Sequence, residues 1–189
     1  MSRAYRISVK ESLKKDLSAS DEVCSDLEIL EILPSDQMAE LMRGELKGRG
    51  FTEQEGKLVR TDEGITVTID PAFGEVSVKA EAADSVELKA QRDDWGFDDV
   101  GSSETAIRRR MGEQLKQDLE TRAEKEQTRL QIEATEKLEG RLDDLRKELG
   151  QAVNRVTAEA LKRKAASLGQ IKEMTENPES GSLTITVEV

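Results

Sequence analysis

Residues 104–169 read ETAIRRRMGEQLKQDLETRAEKEQTRLQIEATEKLEGRLDDLRKELGQAVNRVTAEALKRKAASLG, with no proline, and predict one long helix. At ~1.5 Å per residue such a helix reaches roughly 100 Å. A chain of 189 residues is not expected to bury it within one globule, so the helix is expected to need a partner, either a second copy or another protein. Its apolar line runs Ile107, Met111, Leu115, Leu119, Ala123, Leu130, Ala134, Leu138, Leu142, Leu145, Leu149, Val153, Val156 and Ala160. Steps of four outnumber steps of three, and pairs 11 apart recur, among them Leu119 with Leu130 and Leu138 with Leu149. That period gives a nearly straight or slightly right-handed supercoil rather than the left-handed heptad form. The seam thins at Glu126-Gln127. Gly140 and Gly150 each cost about 1 kcal/mol in a helix interior, and either is a candidate bend; the continuous helix is the reading taken. Leu138, Leu142, Leu145 and Leu149, followed by Val153, form the densest seam and are the expected interface.

The segments on either side read as β-rich. Ala4–Glu11 alternates, with Tyr5, Ile7 and Val9 on one face, and predicts a half-buried strand. After a polar link, the apolar run LEILEIL within Val23–Leu33 predicts a second strand, with a helical turn as the alternative. Pro34-Ser35-Asp36 predicts a helix start with Ser35 as N-cap and Asp36 in the first turn. Met38, Leu41, Met42 and Leu46 follow at helical spacing, and Gly48 and Gly50 stop it. Ile65, Val67 and Ile69, then Val76, Val78 and Ala80, alternate around the turn Asp70-Pro71-Ala72-Phe73-Gly74 and predict a hairpin. In the tail, 170–175 and 183–189 predict a second hairpin, which is marginal in water by itself and needs support. The expected architecture is α+β: residues 1–91 as a small antiparallel sheet with one packed helix, 92–103 as an acidic flexible linker, 104–169 as the long coiled-coil-like helix, and 170–189 as a C-terminal hairpin.

Charge narrows the function classes. The chain is 37% charged and 3% aromatic, with a net charge of −11. Residues 1–92 balance to −6, 93–104 to −5, 105–170 to +3 and 171–189 to −3. Phosphate contacts need basic clusters, so this acidity argues against nucleic-acid binding. Arg108-Arg109-Arg110 and Lys162-Arg163-Lys164 are the two basic runs, and consecutive helix positions fan around the cylinder rather than forming a flat patch. No segment approaches the ~20 apolar residues of a membrane helix, and the start has no signal-peptide core, so a cytoplasmic protein is expected.

The chemical inventory is sparse. There is no histidine, which removes the usual Ser-His-Asp and Cys-His arrangements and most zinc sites. Neither GxxxxGK[ST] nor GxGxxG occurs. The single cysteine, Cys24, rules out an intramolecular disulfide and reads as a buried structural thiol. Asp143-Asp144 falls on the polar helix face. Asp93-Asp94 and Asp98-Asp99 flank Trp95, but their spacing matches no EF-hand loop. Neither a metal nor another cofactor is expected. Trp95 and Phe97 break the polar pattern of the linker and read either as anchors for a partner or as cover for the sheet edge.

Three stretches, LEILEILPSDQMAELM at 27–42, GITVTIDPAFGEVSVKAEA at 64–82 and NRVTAEALKRKAASLGQIKEMTENPESGSLTITVEV at 154–189, resemble a small bacterial family of FtsH/MoxR/vWA-type ternary systems. The resemblance implies an accessory component working beside AAA+ ATPases and a von Willebrand A-type adaptor. It carries no functional residues with it. The resulting expectation is a non-enzymatic accessory or adaptor protein that self-associates, or docks on an AAA+ ATPase system, through its long helix. The alternatives are a carboxylate- and metal-dependent enzyme centred on the N-terminal domain, and a purely structural coiled-coil rod.

Overall fold

A computed structural model describes residues 4–97, 103–177 and 182–188. The elements in chain order are β1 (Ala4–Asp26), α1 (Ser35–Gly48), β2 (Thr52–Gln54), β3 (Lys57–Asp62), β4 (Ile65–Ile69), β5 (Glu75–Phe97), α2 (Glu104–Leu168), β6 (Gln170–Asn177) and β7 (Ser182–Glu188). The class is α+β, as expected. Five antiparallel strands form one sheet in the order β1-β5-β4-β3-β2, and β6 and β7 form a separate pair. The long helix is continuous over 65 residues, so neither Gly140 nor Gly150 breaks it.

Local chemistry sets the meander. The β2–β3 and β3–β4 connections are two-residue turns at Glu55-Gly56 and Glu63-Gly64, all four residues having positive φ. This is the type I′ geometry whose twist matches that of the strands. The β4–β5 turn is closed by Asp70: its carboxylate accepts the Ala72 N–H at 2.9 Å, and its backbone exchanges hydrogen bonds with Gly74 and Glu75. The hairpin register pairs Val67 with Val78, as the alternation predicts. Helix α1 begins differently from expectation. Pro34 takes the N-cap position with no side-chain cap, and its carbonyl accepts the Gln37 and Met38 N–H groups. Asp36 does lie in the first turn, and Gly50, at φ +86°, lies just past the end of the helix.

Three further expectations are corrected. The link after Glu11 is not a link: β1 runs without a break to Asp26. The LEILEIL run is not a strand. Its Leu27, Ile29, Ile32 and Leu33 instead pack as irregular chain on a hydrophobic core, with Leu30 left exposed. The linker begins too early, since β5 extends to Phe97; residues 98–102 lie outside the described residues.

By packing, the chain divides into two units interleaved in sequence, Met1–Asp21 with Glu81–Glu136, and Glu22–Ala80 with Lys137–Val189. In the first unit, Ile7 of β1 packs with Ile107 and Met111 of α2, with Tyr5 and Val9 alongside. A second cluster there joins Leu17, Ala19 and Ala82 to Leu130 and Ala134. In the second unit, Met38, Met42 and Leu46 of α1 share one core with the inward residues of β3, β4 and β5 and with Leu138, Leu145, Leu149, Ala152, Val156 and Ala160 of α2. In both units the helix lays its apolar stripe on strands of its own chain.

Candidate interaction surface

The alternation of β5 decides what its end presents. Val76, Val78, Ala80 and Ala82 are buried, and Gly96 is buried again at the far end. Even-numbered side chains of β5 therefore face the helix, and odd-numbered ones face away. Through the antiparallel pairing, the outward set of β1 is Ala4, Arg6, Ser8 and their successors at every second position. This outer face is polar almost throughout: Arg6 bonds Asp93 at 2.6 Å, and the Gln91 amide donates to the Ser8 hydroxyl at 3.1 Å. The Arg6 guanidinium, with help from Ser8 and Gln91, holds the Asp93 carboxyl below the usual aspartate range.

Trp95 and Phe97 stand out from that polar face at the end of β5. They are 60% and 51% exposed, respectively. Their backbone is well anchored from the other side. Gly96 faces inward, where the Tyr5 ring lies so close that a Cβ would come within 2.6 Å of it. Asp94 receives the Arg110 guanidinium at 3.1 Å and also accepts the Trp95 N–H at 2.9 Å. Arg110 belongs to the triple-arginine run, which is dispersed as helix geometry requires. Arg108 reaches Glu104 and the Ser8 carbonyl, while Arg109 pairs with Glu113 at 3.9 Å. Two large aromatics thus sit on a braced strand end with little to cover them.

The helical seam has a different fate. Leu138, Leu145 and Leu149 are 2%, 3% and 5% exposed within the second unit, and Leu142 and Val153 pack partly buried against the same core. The chain's own sheet and α1 occupy the face on which a partner helix was expected. The signal that could have revealed this is the alternation of Ile65, Val67 and Ile69 and of Val76, Val78 and Ala80, whose inward face needs an apolar cover that α1 shares with the seam. Cys24 is exposed rather than buried, because it falls in the outward set of β1. It borders an open groove of about 450 Å³ lined by Asp26, Lys57, Thr68, Asp70 and Ser77 among others.

Among the described residues no three or more of His, Cys, Asp and Glu are grouped so as to hold a metal ion; Asp98 and Asp99 lie outside them. Among the described residues, no helix is long and apolar enough to cross a membrane. A family model described as FtsH ternary system domain X5 matches residues 1–189, the whole chain. No curated protein and no solved structure matches.

Proposed function

We propose, for a chain that belongs to the FtsH ternary system domain X5 family, that it is a non-enzymatic accessory protein docking on an AAA+ ATPase, or on the von Willebrand A-type adaptor, of that system. Membership of a ternary system means that it works with protein partners. The observation that supports a docking role is the pair Trp95 and Phe97, exposed on an otherwise polar face and held by Gly96, Tyr5 and Asp94. Aromatics on a rigid support are the residues that most often dominate binding energy, because they bury a large area at low entropic cost. The long helix contributes its solvent face, including Ile132 at 55% exposure, rather than its leucine seam. A cytoplasmic site of action belongs to the same reading.

The test is a binding titration of the full chain against the separately purified ATPase and adaptor of its own system. Trp95→Ala with Phe97→Ala should weaken binding by about 2 kcal/mol or more, roughly a 30-fold rise in Kd, with the far-UV circular dichroism unchanged. Unaltered affinity in the double variant would remove the aromatic pair from the interface. Absence of binding by the wild-type chain to either component would remove the docking function itself.

A further inference from the structure

Four strand edges occur among the described residues, and three of them are guarded. The β1 edge is capped from α2: Arg108 donates to the Ser8 carbonyl, and the amides of Gln127 and Gln131 donate to the carbonyls of Ser18 and Ser20. It also carries Lys10, Lys14, Lys15 and Asp16. The β2 edge is three residues long, and its Glu53 is held by Lys47 at 2.6 Å and by Arg43 at 3.5 Å. The β6 edge carries Lys172 and Glu173 and is interrupted by a bulge between Ile171 and Glu173. Charges, bulges, short length and covering groups are the devices by which proteins keep sheet edges from pairing.

Among the described residues, no bulge or covering group guards the β7 edge. Its sequence is Ser-Leu-Thr-Ile-Thr-Val-Glu, and the one charge, Glu188, sits at its end and is drawn to Lys172 of β6 at 2.8 Å. The β6–β7 ribbon has an unmet need as well. The bulge at Lys172 brings Ile171 and Met174 onto one face, opposite Val187 and Ile185. Met174 remains 47% exposed, and among the described side chains none of either strand belongs to the three hydrophobic core clusters. Two-stranded ribbons are at best marginally stable in water, and three or more strands are needed for independent stability.

We infer that β7 is a self-pairing edge, and that its occupant is the β7 strand of a second copy of this chain, aligned antiparallel about Ile185 to make a continuous four-stranded sheet. The sequence is self-complementary in that alignment. Ile185 meets its own counterpart, Thr184 meets the second copy's Thr186, and Glu188 falls opposite a serine position, so no like charges oppose. A two-fold interface requires this reciprocity, in which each residue meets a chemically suitable equivalent. The β6 edge fails the same test, since centring on Glu173 would oppose two carboxylates. The pairing is independent of the docking reading: a monomeric chain would overturn it and leave docking untouched, while a wild-type chain that binds neither the ATPase nor the adaptor would do the reverse.

The experiment is light scattering coupled to size exclusion on the full chain. The wild type is expected at twice the 21.0 kDa chain mass. Ile185→Lys and Ile185→Glu should each run at the chain mass, because like charges would then face each other, and an equimolar mixture of the two should recover the doubled mass. Met174→Lys places the same charge on the same ribbon face but on β6, and should keep the dimer. Where a charge at 185 unfolds the ribbon, Ile185→Cys in a Cys24→Ser background keeps the idea testable. Paired Cα atoms in antiparallel strands stand ~4.5–5.5 Å apart, within disulfide reach, so mild oxidation should link the copies. A monomeric wild type, a dimer that survives Ile185→Lys, or failure of the Ile185→Cys variant to cross-link would each overturn the proposal.

Discussion

Arg60 brings together segments of the second unit that lie far apart in sequence. Its guanidinium makes a two-pronged contact with Glu148, at 2.7 and 2.8 Å, donates to the Arg49 carbonyl at 3.0 Å, and sits 4.5 Å from the centre of the Phe51 ring. Both charged side chains are more than two-thirds shielded, so the pair is screened less than a surface ion pair. The hydrogen bonds from Arg60 lower the Glu148 pKa, against partial desolvation that acts to raise it. A carboxyl depressed in the fold contributes stability above its unfolded value and loses that contribution as pH falls through its folded value. Glu148→Gln should therefore cost about 1–3 kcal/mol at pH 7, the range for charge-assisted bonds. Most of that difference should vanish as pH falls through the lowered folded pKa of Glu148, where the wild-type glutamate is itself protonated. Urea midpoints of both proteins followed from pH 7 downward into acid check it; a gap that stays constant over the whole range in which both remain folded would mean that the carboxylate charge contributes nothing. None of this was legible in the sequence. Arg60 and Glu148 carry no pattern that links them, and only the packing of β3 beneath α2 brings them together. Trp95 and Phe97, by contrast, were visible as aromatics interrupting a polar run, although their strand setting was not.

At the scale of elements, what was legible followed from periodicity and turn chemistry. The long helix, the β4–β5 hairpin around Asp70–Gly74 and the β6–β7 pair carry strong local signals, and the structure has all three. The length of β1 was hidden because Lys14, Lys15 and Asp16 dilute its alternation, while Leu13, Leu17 and Ala19 keep the inward set going. The LEILEIL run misled for the opposite reason: it is apolar enough for a strand, but its hydrophobic side chains serve as cover for a core. The leucine seam of α2 shows how a helical stripe is ambiguous between a sister helix and a sheet, since both accept the same apolar face. Leu138→Ala should cost about 2–5 kcal/mol, as deletion of a fully buried leucine usually does. It should do so without any change in mass by light scattering, because Leu138 packs against strands and helix of its own chain. Leu142 is only partly buried, so Leu142→Ala should cost less. A change in oligomeric mass with no loss of stability for Leu138→Ala would return the seam to the role of an intermolecular interface.

For the whole molecule, the consequential fact is that sequence order and packing order differ. Each of the two units is built from two segments far apart in sequence, and β1, β5 and α2 each contribute to both. A linear reading, with an N-terminal domain followed by a linker and a helix, had no means of seeing this. Strand pairing between β1 and β5 joins residues as far as 87 positions apart, as Arg6 with Asp93 shows, and hydrophobic periodicity says which face is buried but not which segment covers it. Continuity through shared elements has a thermodynamic consequence. Unravelling β5 or α2 in one unit removes the hydrogen-bonded neighbours at which the same element starts in the other, and helix and strand formation are cooperative along the chain. The two units are thus expected to unfold together, in the way single domains do. Amide hydrogen exchange read by mass spectrometry at rising urea concentration tests this. Peptides from 4–21 and from 57–80 should converge on one global opening energy, and Leu138→Ala, placed in the second unit, should lower protection in both by the same amount. A loss confined to 57–80 would instead make each unit an independent folding domain, with the shared strands and helix acting only as covalent connections.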